Sequence, residues 1–160
     1  MKSNRTIVTT SYIPEGNPGT RITLQVMARL ARRAITLPWF AEFALQFSNA
    51  SSADSYLRPF FHYLDEDVET LYAPEFNLIH LLEHGNLIGD CDDIAMFYAA
   101  IFKAIGIERI RFVAMRTRKG DPDFYHVVVE AFEDGRWKRF DSTVKPSLVQ
   151  IDYGQMVEYV

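Results

Sequence analysis

The chain of 160 residues has a single cysteine, Cys91, so no disulfide can form within it. Stability must come from packing, and a chain of this length can bury roughly 70% of its unfolded surface without staples. An excess of positive charge is also missing. The 17 Lys and Arg against 21 Asp and Glu leave a formal net charge of −4, which argues against a nucleic-acid partner. The local groups Arg29, Arg32, Arg33 and Arg116, Arg118, Lys119 read as solvated faces. No uncharged apolar run reaches the length of a membrane span, so no membrane partner is expected. Met1 to Arg5 is basic, but Thr6 to Gly16 is polar and broken by Pro14. It supplies no secretory apolar region, and a cytoplasmic location is expected. Asn49-Ala50-Ser51 matches a glycosylation acceptor in form, but without export it reads as a helix-ending turn.

What is present is ordinary globular composition, 48% hydrophobic and 24% charged, with a 14% aromatic share that predicts a dense core. One domain over residues 1–160 accommodates it. Gly16 to Thr20 reads as a turn and N-cap, after which Ile22, Val26, Met27, Leu30 and Ala34 recur at helical spacing. Pro38 restarts the chain into a helix through Phe47. Residues 52–64 carry Tyr56, Phe60, Phe61 and Leu64 as a third helical stripe, and Glu75 to His84 forms a short helix stopped by Gly85. The helical part thus covers about residues 20–88, with no internal repeat or low-complexity tract.

After Cys91, the residues Ile94, Phe97, Tyr98, Ile101 and Ile105 share a helical face, and Gly106 is placed to be a left-handed cap. The period then changes to two. Ile110, Phe112 and Ala114 alternate along one strand, 124–132 is a second, and Asp134-Gly135 turns the chain into a third from Arg136 to Asp141. The expected fold class is α+β, a helical N-terminal half followed by a cysteine-bearing helix packed on an antiparallel sheet.

Cys91 lies in Gly89-Asp90-Cys91-Asp92-Asp93, where a glycine hands over to the helix. A lone cysteine often serves as a small buried hydrophobe. A thiol in the first turn of a helix, however, meets free N–H groups and a partial positive charge, which favour a thiolate and an oxyanion. The hairpin supplies two partners. A two-residue turn at Asp134-Gly135 pairs Glu133 with Arg136, and by continuation Val128 with Asp141 and His126 with Thr143. His126 and Val128 share a face, so Asp141 falls diagonally beside His126, close enough to orient its imidazole. Cysteine, histidine and aspartate then form a candidate triad of Cys91, His126 and Asp141. Asp90, Asp92 and Asp93 oppose thiolate formation, which leaves His126 as the expected activator.

At these residues the chain resembles the transglutaminase-like superfamily, whose members share a papain-like cysteine-histidine-aspartate core. The resemblance rests on Gly89 to Asp93, Ala104-Ile105-Gly106-Ile107, Arg111 to Ala114, His126 to Glu130, Gly135-Arg136-Trp137 and Asp141-Ser142-Thr143, all in the family's usual order. It covers residues 86–143 well, which sets a catalytic core of about residues 86–145. It implies Cys91 as nucleophile, His126 as general base and then acid, and Asp141 as the orienting carboxylate. The implied chemistry is an acyl-enzyme on a peptide or amide substrate, with no cofactor and no resident metal. Val128 stands where the family often has an aromatic residue, which suggests an open groove and hydrolysis or deamidation over cross-linking. No calcium loop is recognisable. Trp39, Gln46 and Tyr125 are candidates for a side-chain oxyanion donor.

The Gly-Asp-Cys-Asp-Asp form also resembles small transglutaminase-like proteins of bacteriophages. That likeness offers an alternative, a non-catalytic structural or assembly component of a virion, with other virion proteins as partners. A further rival is zinc chemistry, because His80-Leu81-Leu82-Glu83-His84 places two imidazoles one turn apart around a carboxylate. In that reading His80, Glu83 and His84 would carry the site, completed by Asp90 or Cys91. Gly85 ends the helix there, so His84 also suits a dipole partner at the helix C-terminus.

Overall fold

The computed structural model describes residues 16–64, 70–143 and 154–160, and the basic start of the chain lies outside them. The fold is α+β: a group of helices wraps one long helix, which itself packs on an antiparallel sheet. Helix α1 spans Asn17–Ala34, with Pro18 in its first turn and Arg32 and Arg33 in its last. Proline suits a first turn because its missing N–H would have had no partner there, and the arginines complement the helix dipole. The helix therefore takes in residues that read as a turn in the sequence. Its buried stripe is also rotated from the expected one. Leu24, Met27, Ala28, Ala31 and Ala34 are buried, whereas Ile22 is exposed. The alanines let α1 approach the long helix closely.

Helix α2 covers Pro38–Ala44, and α3 covers Ala50–Leu57. Asn49 starts α3 rather than ending α2: its side chain accepts from the Ser52 N–H while Ser52 Oγ accepts from the Asn49 N–H. The expected helix over 52–64 does not persist. Pro59 cannot continue the α ladder, so Arg58–Phe60 tightens into a 3-10 turn and Phe61–Tyr63 becomes strand β1. Helix α4, Pro74–His84, ends on Gly85 in the left-handed conformation, as its sequence implies. Strand β2, Leu87–Gly89, pairs in parallel with β1. That small ribbon delivers the chain into α5, Cys91–Ala104.

Helix α5 is the centre of the molecule. Every residue from Asp92 to Phe102 is buried, because α1, α2, α3, α4 and the sheet surround it on all sides. Burying Phe97, Tyr98 and Phe102 contributes about 2 kcal/mol each. The sheet has the order β5-β4-β3-β6, all antiparallel, from β3 Ile110–Met115, β4 His126–Glu133, β5 Arg136–Phe140 and β6 Gln155–Tyr159. Strand β6 has no counterpart in the sequence reading and pairs beside β3 across a long chain separation. Asp134 and Gly135 both take positive φ, 53° and 76°, the turn that matches strand twist. It fixes the β4–β5 register as Val129 opposite Phe140 and Glu130 opposite Arg139. Val127, Val129 and Ala131 face α5, whereas Val128 joins Val113 and Met115 in a second apolar cluster.

Candidate active site

Cys91 opens α5 because Asp90 caps it. The Asp90 carboxylate accepts from the backbone N–H groups of Asp92 and Asp93, and Asp93 Oδ2 accepts from the Asp90 N–H in return. Asp93 is fully buried, and its Oδ1 also accepts from the Tyr72 N–H at 2.6 Å, tying the segment before α4 to the helix start. This carboxylate sits directly under Gly89, where φ is +130° and no Cβ would fit. The glycine is a requirement of close approach, not of flexibility.

The cap changes the electrostatics expected at the thiol. Asp90 occupies two of the N–H groups that would have stabilised a thiolate. Burial, then the charges of Asp92 and Asp90, push the Cys91 thiol well above the ordinary range. The Val127 backbone N–H, hydrogen-bonded to the sulfur, works in the opposite direction, and Asp141 adds to the rise. The resting group is therefore a neutral thiol. Ile94 N–H already bonds the Asp90 carbonyl, so among the described residues the Cys91 N–H is the helix-start donor left without a partner.

His126 is the first residue of β4, placed by its pairing opposite Met115 of β3. Its Nε2 lies 2.6 Å from Asp141 Oδ2, and both side chains are largely buried. Asp141 is the first residue past the end of β5, on the continuation of the observed register that sets it opposite Val128. Its other oxygen, Oδ1, accepts from the Thr143 N–H at 3.0 Å and from the Thr143 hydroxyl at 2.6 Å. Burial by itself would raise the Asp141 carboxyl. The His126 and Thr143 hydrogen bonds outweigh it and hold the group below its usual range, so it is ionised. With Nε2 committed to Asp141, the ring nitrogen left to serve a thiol is Nδ1. The sulfur rests on the N–H of Val127, the residue directly after His126.

Other residues singled out by the sequence fall elsewhere. Gln46 donates to the Phe43 carbonyl of its own segment, and Trp39 packs edge-on to Phe40. Tyr125, beside His126, is 61% exposed. None of the three hydrogen-bonds Cys91 among the described residues. Val128 is buried in the second apolar cluster, so it walls no groove, and the inference of an open groove from that position is withdrawn. His80 Nδ1 is engaged with the Asn86 carbonyl at 3.0 Å, while Glu83 and His84 are exposed at the end of α4. Among the described residues no third ligand converges on them. The one triplet of candidate ligand atoms there is Asp90, Asp92 and Asp93, gathered within 4.8 Å, and Asp90 and Asp93 use their oxygens as caps.

Four contributors carried no local sequence signal. Arg58 Nη1 donates to the Asp141 carbonyl at 2.8 Å, and Arg58 is itself held by Asp54 at 2.9 and 3.0 Å. Tyr98, inside α5, shares a 2.7 Å hydrogen bond with Ser142. The Asp54–Arg58 pair sits at the i, i+4 spacing typical of any helix, and its link to Asp141 spans 83 positions.

A helix-start thiol beside a sheet-borne imidazole and carboxylate defines a papain-like architecture. The chain belongs to the transglutaminase-like superfamily, whose profile matches residues 45–142, more than half of the sequence. No curated protein shows significant similarity to it. Among solved structures, it is similar to a proposed protease from Parabacteroides distasonis, at 12% identity over 91% of this chain with a TM-score of 0.53. It is also similar to a proposed cysteine protease from Cytophaga hutchinsonii, at 18% identity over 74% of this chain with a TM-score of 0.45. The matched regions make up 35% and 37% of those chains, so this chain spans little more than a third of either. Neither comes from a bacteriophage. Among the described residues, no helix is long and apolar enough to cross a membrane.

Proposed function

We propose that the chain is a cysteine-dependent enzyme that forms an acyl-enzyme with a peptide or amide substrate, using Cys91, His126 and Asp141 within a single domain over residues 1–160. The observation that carries this reading is the 2.6 Å pair between His126 Nε2 and Asp141 Oδ2, held one residue from the N–H on which the Cys91 sulfur rests. Such a pair fixes the imidazole with its other nitrogen available and stabilises the imidazolium once formed. In the first step His126 Nδ1 takes the thiol proton as the sulfur attacks the substrate carbonyl. The Cys91 N–H donates to the developing oxyanion. Collapse breaks the C–N bond, His126 returns the proton to the leaving amine, and a thioester remains. Water, deprotonated by His126, then attacks the thioester and releases the acid and the thiol.

The neutral resting thiol suits this sequence of proton transfers, because charge separation is deferred until substrate arrives. Cys91 is not fully buried, and Tyr125, the residue before His126, is exposed. A thioester open to water favours hydrolysis or deamidation over cross-linking, since water is abundant unless excluded. The proposed setting is cytoplasmic, with a peptide or protein as substrate.

The test is incubation with glutamine-containing and other short peptides, with and without excess primary amine, followed by mass spectrometry of products and of the Cys91 adduct. Cleaved or deamidated peptide, lost in Cys91→Ala, is the expected result. Predominant amine incorporation would overturn the hydrolytic preference. Absence of any adduct or product across a broad peptide set would overturn the enzyme and favour a non-catalytic role, the assembly component among them.

A further inference from the structure

Asp141 lies just past the last ladder pair of β5, so no strand partner holds its backbone. Its carboxylate must nonetheless meet His126 within hydrogen-bond tolerance, and side-chain direction there depends on where the backbone is anchored. Two anchors come from the helical half. Arg58 donates to the Asp141 carbonyl at 2.8 Å. The Ser142 hydroxyl lies 2.7 Å from the buried Tyr98 hydroxyl and 3.4 Å from Asp54 Oδ1.

The Asp54 carboxylate faces both hydroxyls: Ser142 donates to its Oδ1 at 3.4 Å, and the Tyr98 hydroxyl hydrogen-bonds Asp54 as well as lying 2.7 Å from Ser142 Oγ. Burial, then the Asp54 charge, push the Tyr98 hydroxyl up, which keeps it protonated and a donor. Arg58 closes the ring: its Nη2 and Nε face the two Asp54 oxygens at 2.9 to 3.3 Å, while its Nη1 reaches Asp141. A forked guanidinium makes these contacts from separate, spaced nitrogens, whereas an ammonium would have to make them all from one atom. The ring Asp54, Arg58, Asp141 carbonyl, Ser142 thus clamps the two residues that follow β5, and it joins α3, the 3-10 turn and α5 to the carboxylate.

We propose that Arg58, Asp54, Tyr98 and Ser142 are positioning residues that aim the Asp141 carboxylate at His126 and so set how effectively His126 draws the Cys91 proton. This rests on the triad reading above. None of the four touches the thiol or imidazole, so each acts only through Asp141.

The experiment measures the second-order rate of Cys91 alkylation by iodoacetamide as a function of pH, in the full chain, for wild type, His126→Ala, Asp141→Ala, Arg58→Lys and Tyr98→Phe. The last two are then repeated in the Asp141→Ala background. Tyr98→Phe removes one oxygen without opening a cavity, and Arg58→Lys keeps the charge but not the fork. Each is expected to slow alkylation near neutral pH by about fivefold, the scale of one lost orienting hydrogen bond. Neither should have any further effect once Asp141 is alanine. Effects that add to Asp141→Ala, or that are absent while Asp141→Ala slows the reaction, would overturn the positioning role and leave the triad standing. Unchanged alkylation in His126→Ala and Asp141→Ala would overturn the triad and this inference together. Should Arg58→Lys lose its fold, Tyr98→Phe and Ser142→Ala complete the same cycle.

Discussion

Gly89→Ala should be among the most damaging single substitutions in this protein, for a reason that can be worked from the site. Its φ of +130° lies where L-residues are strained, a cost of about 1–3 kcal/mol. An added Cβ would stand 2.6 Å from Asp93 Cβ and 2.8 Å from Asp93 Cγ, with Oδ2 closer still. The Asp93 carboxylate cannot simply swing away, because it is buried and bonded to the N–H groups of Tyr72 and Asp90. Displacing it strands at least one buried partner, at about 1–3 kcal/mol more. The sum is about 4 kcal/mol, which in a domain of this size lowers the melting temperature by roughly 8–16 °C. Urea titration at a constant slope, with a thermal melt, measures it. Gly135→Ala provides the contrast: its φ is also positive, 76°, but nothing lies within 4 Å of its Cβ, so only a backbone cost of about 1 kcal/mol is expected. In an Asp93→Gly background, the added cost of Gly89→Ala should fall to the backbone part alone. A Gly89→Ala loss below about 1 kcal/mol, or one that is the same in both backgrounds, would refute the close-approach argument.

Three other outcomes follow from the same contacts. Because Asp92 helps hold the Cys91 thiol protonated, Asp92→Asn should move the alkylation profile to lower pH and speed the reaction at pH 7 about three- to tenfold. A profile that stays put, or moves up, would contradict the charge argument. Asp141 is held below its usual range when folded, so its contribution is present above the unfolded carboxyl range, near about pH 4, and is lost as pH falls through the lower folded value. The stability difference between wild type and Asp141→Asn, followed by urea titration, should therefore shrink below about pH 4; a difference independent of pH would sink that assignment. Glu130 is buried between Arg111 and Arg139, at 2.7 and 2.8 Å, so Glu130→Ala should cost about 3 kcal/mol. Arg139→Ala, which removes the more solvent-screened partner, should cost about 1 kcal/mol or less; equal losses in the two variants would show that burial of the carboxylate is not what matters.

Local rules carried much of this site. Asp90 and Asp93 spell out a helix start around Cys91, and Asp134-Gly135 admits one tight turn, so the register that sets Asp141 beside His126 follows from the chain itself. Gly85 and Gly106 stop α4 and α5 for equally local reasons. Where the reading failed, distant parts of the chain overruled local preference. The stretch Phe61–Tyr63 has helical spacing behind it, but after Pro59 it finds a parallel partner in Leu87–Gly89. Val128 resembles a groove position in its distance from His126, but strand parity buries it against Val113 and Met115.

The sequence by itself determined the class of fold, the cysteine's place at a helix start and the alignment of histidine with aspartate, because each depends on a few adjacent residues and on periods of two or 3.6. Tertiary structure alone decided that burial would push the Cys91 thiol up and that the Val127 N–H would meet its sulfur, since both come from elements packed against the helix start. It also decided that Arg58 would meet the Asp141 carbonyl and Tyr98 the Ser142 hydroxyl. Those links join residues 83 and 44 positions apart, between Arg58 and Asp141 and between Tyr98 and Ser142. No periodicity encodes a contact at that separation; it exists only once α3, α5 and the sheet have packed around a common core.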